Sequence, residues 1–185
     1  MAEHDAAGAN DVRLHLLVLR CQAGDERAFA QLFEWFGERS LRYLHGLVGD
    51  AADDVHQEVW LSVYRTIASL GKPSAFRTWL FSTTRHRALD YLRRQKRERE
   101  LLESVADEVR EGEGGAREDV DLEPGAAAAL ESALTQLSAL HREVLLLRYR
   151  DDMSYGEIAL VLGVPIGTVR TRLHNAKKRL QDILT

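Results

Sequence analysis

Three groups of side chains in this 185-residue chain have types and spacings suited to chemistry. Arg170, Thr171, Arg172, His174, Asn175, Lys177 and Lys178 follow one another closely, and no acid interrupts residues 166–179. Arginine can bond the acceptor edge of guanine bidentately, and asparagine can bond adenine, in the major groove of DNA. Thr168 and the N–H groups around it stand where a helix start would meet a phosphate. The second group runs from Phe76 to Arg99, where aromatic residues interleave with Arg77, Arg85, Arg87, Arg93, Arg94, Lys96, Arg97 and Arg99 against only Asp90 and Glu98. Stacking surfaces beside a positive groove hold single-stranded nucleic acid, and a base buried in a duplex must be extracted before a pocket can read it. The third group is Asp53, Asp54, Gln57 and Glu58, leading into Trp60 and Leu61. Acids at a helix start favour the macrodipole. Trp60 and Leu61, however, cannot both share the inward face of Val55, Val59 and Val63, and a surplus apolar side chain beside acids marks a partner surface.

Other chemistries find no residues. The seven histidines, His4, His15, His45, His56, His86, His141 and His174, are scattered and form no H-x-x-x-H pair. There is also no P-loop, Gly-Ser-Gly elbow or plausible triad, so no catalytic residue, metal or cofactor is expected. One cysteine, Cys21, leaves no internal disulfide and reads as a small buried hydrophobe. No run approaches the roughly 20 apolar residues that span a bilayer. The opening MAEHDAAGAN carries acids and does not read as a signal peptide. A soluble cytoplasmic protein with no membrane insertion is the expectation.

The elements that must position these groups are helices. Prolines number only three and strand-like alternation is nearly absent. Phe29, Leu32, Phe33 and Phe36 mark one apolar stripe, continued by Leu41, Leu44 and Val48. A second helix starts near Asp53 or Asp54. A third runs from about Ser74, with Phe76, Trp79 and Leu80 as its first buried turn and Trp79 as support. Residues 99–123 hold ten acids against three bases, among glycines and few large apolar side chains. Such a segment cannot bury enough surface to offset its ordering entropy. Helices resume near Ala126 with Leu130, Leu134 and Leu137, then Leu140, Val144 and Leu147. Ser154 and Glu157 form a capping box, Gly163 suits a left-handed helix end, and Val169, Leu173, Ala176 and Leu180 repeat as one buried face. Two short helices around a glycine turn make a helix-turn-helix. The net charge of −4 hides two basic segments separated by an acidic one, and local fields rather than totals attract phosphate.

The order AADDVHQEVWLSVYR, FRTWLFSTTRHRALDYLRR, acidic linker, then LSALHREVLLLRYRDDMSYGEIALVLGVPIGTVRTRLHNAKKRL resembles the bacterial extracytoplasmic-function (ECF) sigma factors. The resemblance implies an all-α fold of two small helical domains, a sigma region 2-like bundle and a sigma region 4-like helix-turn-helix, joined by a flexible acidic linker. The implied boundaries are a flexible N-terminus over 1–14, the first domain over 15–98, the linker over 99–125 and the second domain over 126–185. By the same resemblance, Asp53, Asp54, Gln57, Glu58, Trp60 and Leu61 fall on the part that docks on core RNA polymerase, a partner contacted through its beta and beta-prime subunits. Lys72, Ser74, Phe76, Arg77, Trp79, Arg85, His86, Arg87, Arg93 and Arg94 fall on the part that opens and holds the minus-ten promoter element. Thr168, Arg170, Thr171, Arg172, His174, Asn175, Lys177 and Lys178 fall on the helix that reads the minus-thirty-five element. The linker would thread the polymerase's nucleic-acid channels, and an anti-sigma factor is the implied inhibitor. His56 and His86 depart from the family pattern, which carries an apolar residue and often Asn there. An ordinary dimeric helix-turn-helix regulator would account for residues 126–185, but it leaves 50–98 without a purpose.

Overall fold

Asp25 starts the first long amphipathic helix by accepting hydrogen bonds from the backbone N–H groups of Arg27 and Ala28 at 3.0 and 3.1 Å. Its carboxylate also takes Arg20, and that guanidinium holds it below the usual carboxylate range. The computed structural model describes residues 2–106 and 132–184, with side chains over 11–101 and 132–184. The first half contains four helices: α1 (Ala2–Gln22), α2 (Glu26–Val48), α3 (Ala52–Thr66) and α4 (Phe76–Ala106). Short 3-10 turns, Gly49–Ala51, Ile67–Ser69 and Pro73–Ala75, join the last three. Leu32, Tyr43, Leu44, Val55, Val59, Val63, Phe76, Leu80 and Phe81 are all buried where these helices meet.

Two boundaries differ from those expected. Helix α1 begins at Ala2, within the 1–14 expected as a flexible N-terminus; alanines and the absence of proline favour a helix there. The linker expected over 99–125 is helical through Ala106. No glycine or proline interrupts α4 there, and Lys96 pairs with Glu100 one turn on at 3.5 Å. At about 1.5 Å per residue, the 31 residues of α4 make a rod of about 46 Å. Residues 107–125 of the linker, the helix start near Ala126 and Leu130 lie outside the described residues.

Among the described residues of the second half, a helical stretch over 132–135 precedes α5 (Ala139–Leu145), α6 (Tyr155–Leu162) and α7 (Ile166–Leu184). Ser138 caps α5. Arg142 clamps the turn before it by donating to the carbonyls of Leu134, Thr135 and Leu137. After Leu145 the helix widens into a π-helical turn, Leu146–Arg150. Leu147, Met153, Ile158, Val169, Leu173 and Ala176 close the core. Among the described residues there is no strand, and no helix is long and apolar enough to cross a membrane.

The two halves meet along α2 and α4 on one side and α5, the π turn and α6 on the other. Gly46 permits the approach on α2: a Cβ there would overlap Leu146 Cδ1. Arg142 donates to the Gly46 carbonyl at 3.2 Å.

Candidate nucleic-acid interface and docking face

The helix-turn-helix is built by its local sequence. Ser154 Oγ accepts from the Glu157 N–H at 3.2 Å, and the Glu157 carboxylate accepts from the Ser154 N–H at 2.8 Å, so both arms of the capping box are made. Gly163 ends α6 at φ +66°, the left-handed region where a side chain is strained. Pro165 then starts α7, its carbonyl taking the Thr168 N–H at 2.9 Å. With Val169, Leu173 and Ala176 buried, Arg170, Thr171, His174, Asn175, Lys177 and Lys178 are exposed, and Thr168 and Arg172 half-buried. Two of these carry internal ties. Thr171 Oγ1 donates to the Gly167 carbonyl at 3.1 Å. Lys177 Nζ sits 5.2 Å over the Tyr149 ring, and its hydrogen bond to Tyr149 raises its proton affinity.

The residues assigned to the downstream strand are placed differently. Lys72, Ser74, His86, Arg93 and Arg94 are exposed. Phe76 is fully buried, 5.5 Å from the Phe36 ring centre, so its side chain is core rather than an open stacking platform. Trp79 is half-buried beside it, with ring centres 6.0 Å apart. Arg85 and Arg87 turn toward protein, while Arg93 and Arg94 make surface pairs. Arg85 Nε donates to Glu143 Oε1 at 2.8 Å, Arg87 reaches Ser62 Oγ at 3.2 Å, and Arg93 pairs with Asp90 at 2.8 Å. Arg94 approaches Glu58 at 3.5 Å. Arg77 is part-buried, and its Nε and Nη2 have no hydrogen-bond partner among the described residues.

On the docking face, Asp53, Asp54, Gln57 and Glu58 are exposed along one side of α3. Only one of the two apolar residues paired with them is: Leu61 is 49% exposed, whereas Trp60 is 5% exposed. A hydrogen-bond site draws Trp60 inward. Its indole N–H donates to His56 Nε2 at 2.9 Å and lies 3.2 Å from Ser40 Oγ, with Phe29 and Phe33 edge-on to the ring. Since an indole only donates, the bond to Nε2 uses that nitrogen as acceptor, the role it has in a neutral imidazole with its proton on Nδ1. Burial lowers its pKa, in keeping with that state. The sequence reading missed Phe33 and Tyr64, exposed aromatic residues that rim the same α2–α3 face as Leu61. Phe33 was the signal for it, being one aromatic more than the α2 stripe needs.

Cys21 is buried near the end of α1, and burial pushes its thiol up to about 11. Among the described residues, no three His, Cys, Asp or Glu side chains gather as a metal site.

Residues 32–98 match the family model for Sigma-70 region 2, and residues 127–180 match that for Sigma-70, region 4. A helical domain of the first kind followed by a helix-turn-helix of the second defines a sigma factor, a transcription initiation factor rather than a catalyst. The RNA polymerase sigma-H factor of Pseudomonas aeruginosa is 32% identical, covering 91% of this chain and 92% of that one. The ECF RNA polymerase sigma-E factor of Escherichia coli (strain K12) is 31% identical over 90% and 92%. The solved structure of RpoE in complex with the anti-sigma factor NepR, from Bartonella quintana, superposes with a TM-score of 0.65 at 28% identity, covering 84% and 96%. That of CnrH in complex with the cytosolic domain of CnrY does so with 0.65 at 25%, covering 92% and 96%. This chain belongs to the ECF RNA polymerase sigma factors.

Proposed function

We propose that this sigma factor works in the cytoplasm as a pair of weak DNA grips that core RNA polymerase makes into one. The acidic side of α3, with Leu61, Phe33 and Tyr64 at its edge, docks on the polymerase through the beta and beta-prime subunits. The outer face of α7 reads the upstream promoter element, and the start of α4 with the Leu70–Ala75 loop captures the downstream one. The single observation that carries this reading is the outer face of α7: basic, acid-free from 166 to 179, and presented to solvent by a fully formed cap and turn.

Melting by such a protein requires no catalytic residue. A duplex that opens transiently is trapped when an extruded base is bound, and the equilibrium shifts by the binding energy of that base. Polymerase supplies the spacing that lets two modest sites act together at high effective concentration. An anti-sigma protein that covers the α2–α3 face would block docking. The solved complexes of RpoE with the anti-sigma factor NepR and of CnrH with the cytosolic domain of CnrY support control by a protein partner.

Run-off transcription with purified core enzyme on a promoter library tests the reading. The expected result is transcription from a defined subset of promoters only when this chain is added. Tight, specific duplex binding by the chain alone, with no transcription on adding core enzyme, overturns it in favour of an ordinary dimeric regulator.

A further inference from the structure

Two buried ion pairs cross the otherwise apolar contact between the two halves. Tyr43 Oη and Arg85 Nε both donate to Glu143 Oε1, each at 2.8 Å. Glu143 and Tyr43 are buried, and Arg85 nearly so. Arg39 Nε meets Asp151 Oδ1 at 3.3 Å, with Asp151 also buried. In each pair the N-terminal half supplies the cation and the C-terminal half the carboxylate. Beside them Arg77 lines a cleft of about 380 Å³ with Asp11, Leu14, Trp35, Phe36 and Arg39, all of the N-terminal half. Its inner nitrogens have no acceptor, although Asp151, Asp152 and Glu157 of the other half lie close enough to act on its charge.

A carboxylate bonded to an arginine presents the same two features as a backbone phosphate: negative charge and acceptor oxygens. We propose that the C-terminal domain of this chain serves as an internal nucleic-acid mimic, closing over the N-terminal domain so that Glu143 occupies Arg85 and covers Arg77, both assigned to the minus-ten element. The inference rests on that assignment. Closure leaves α7 open, because Arg170, His174 and Asn175 remain exposed. The free chain is therefore masked on one grip only. The mask is also imperfect, since a part-buried guanidinium with two nitrogens unpaired is costly. Unpaired DNA offers Arg77 the phosphates that the C-terminal domain does not.

Gly46 gives a clean way to test this, because a side chain there wedges the seam against Leu146 while favouring the helix that carries it. The full-length chain and its Gly46→Leu variant are compared by small-angle scattering and by anisotropy with a fluorescein-labelled, random-sequence single-stranded oligonucleotide. The variant should be more extended and bind the oligonucleotide about tenfold more tightly, the size of a modest population shift. Adding Leu146→Ala makes room for the new side chain and should bring affinity back to within about twofold of wild type. Tyr43→Phe keeps the packing and removes one bond to Glu143; it should raise affinity about threefold even if the wedge variant does not fold. An extended Gly46→Leu chain with unchanged affinity overturns the mimicry, as does a Gly46→Leu chain that folds and stays closed. Arg77→Ala with Arg85→Ala in the opened chain separates the two layers. Loss of the gained affinity supports the mask. An affinity gain that survives the double change refutes the assignment of these arginines, and with it the mask, but leaves the polymerase reading to run-off transcription.

Discussion

On α7 the cations face solvent, held out by a capped turn and a buried apolar stripe; on α4, Arg85, Arg87 and Arg94 are already bonded to or paired with protein oxygens. The compositions are alike, and the difference lies in the neighbours. Among the described residues the outer face of α7 is largely open, with Tyr149 under Lys177, whereas α4 is flanked by α3 and by the second domain. A basic stretch in a sequence thus records how much positive charge an element carries. The tertiary neighbours decide whether that charge is available.

The sharpest test of this contrast is a pair of truncations. Arg85→Ala should destabilise the chain by about 3 kcal/mol in chemical denaturation, because it strips the cation from a buried carboxylate. Arg170→Ala should leave stability within about 0.5 kcal/mol of wild type. Equal losses of stability would break the comparison. Promoter affinity sharpens it from the other side. Arg170→Ala or Arg172→Ala should cost the holoenzyme about 1–3 kcal/mol of binding at the minus-thirty-five element if the side chain reads a base. Filter binding of both variants at wild-type strength would remove α7 from the interface.

Smaller effects distinguish the scaffolds. Ser154→Ala removes one arm of the capping box that aims α7 and should cost about 1 kcal/mol, read as a lower Tm. The seam should also respond to acid. Burial raises the Asp151 carboxyl to about 6, with Arg39, Arg77 and Arg42 pulling it the other way. A carboxyl with a folded pKa above its unfolded value stabilises the fold when protonated. Its contribution is complete below about pH 4 and fades as pH rises through about 6. The stability difference between wild type and Asp151→Asn, followed from pH 4 to pH 7.5, should therefore change across that window, and a flat difference would contradict it. Least in size, Asp54→Ala with Glu58→Ala should weaken capture of core polymerase while the circular dichroism stays unchanged. Capture at wild-type level would take the acids out of the docking face.

Much of this molecule is legible in its residues because the signals are local. The 3.6-residue period placed Val55, Val59 and Val63, and Val169, Leu173 and Ala176, on the faces they bury. Ser154, Glu157 and Gly163 specify the turn within ten positions. What escapes is set by long-range partners. Nothing near Arg85 points to a glutamate 58 positions away. The choice between Trp60 and Leu61 is settled by His56 and by Ser40, the latter on another helix. At the ends of α1 and α4, charge and small residues suggest looseness, while the alanines of the first and the Arg, Glu and Leu residues of the second favour helix.

The bond from Trp60 to His56 makes the α2–α3 face optically self-reporting. A protonated imidazole is an efficient quencher of a touching indole, and it can no longer accept the indole proton. The emission of Trp60, isolated from that of Trp35 and Trp79 by subtracting a Trp60→Phe spectrum, thus records the state of the ring 2.9 Å away. A protein laid over that face would cover the half-buried His56 and change the emission of its indole partner without any added dye.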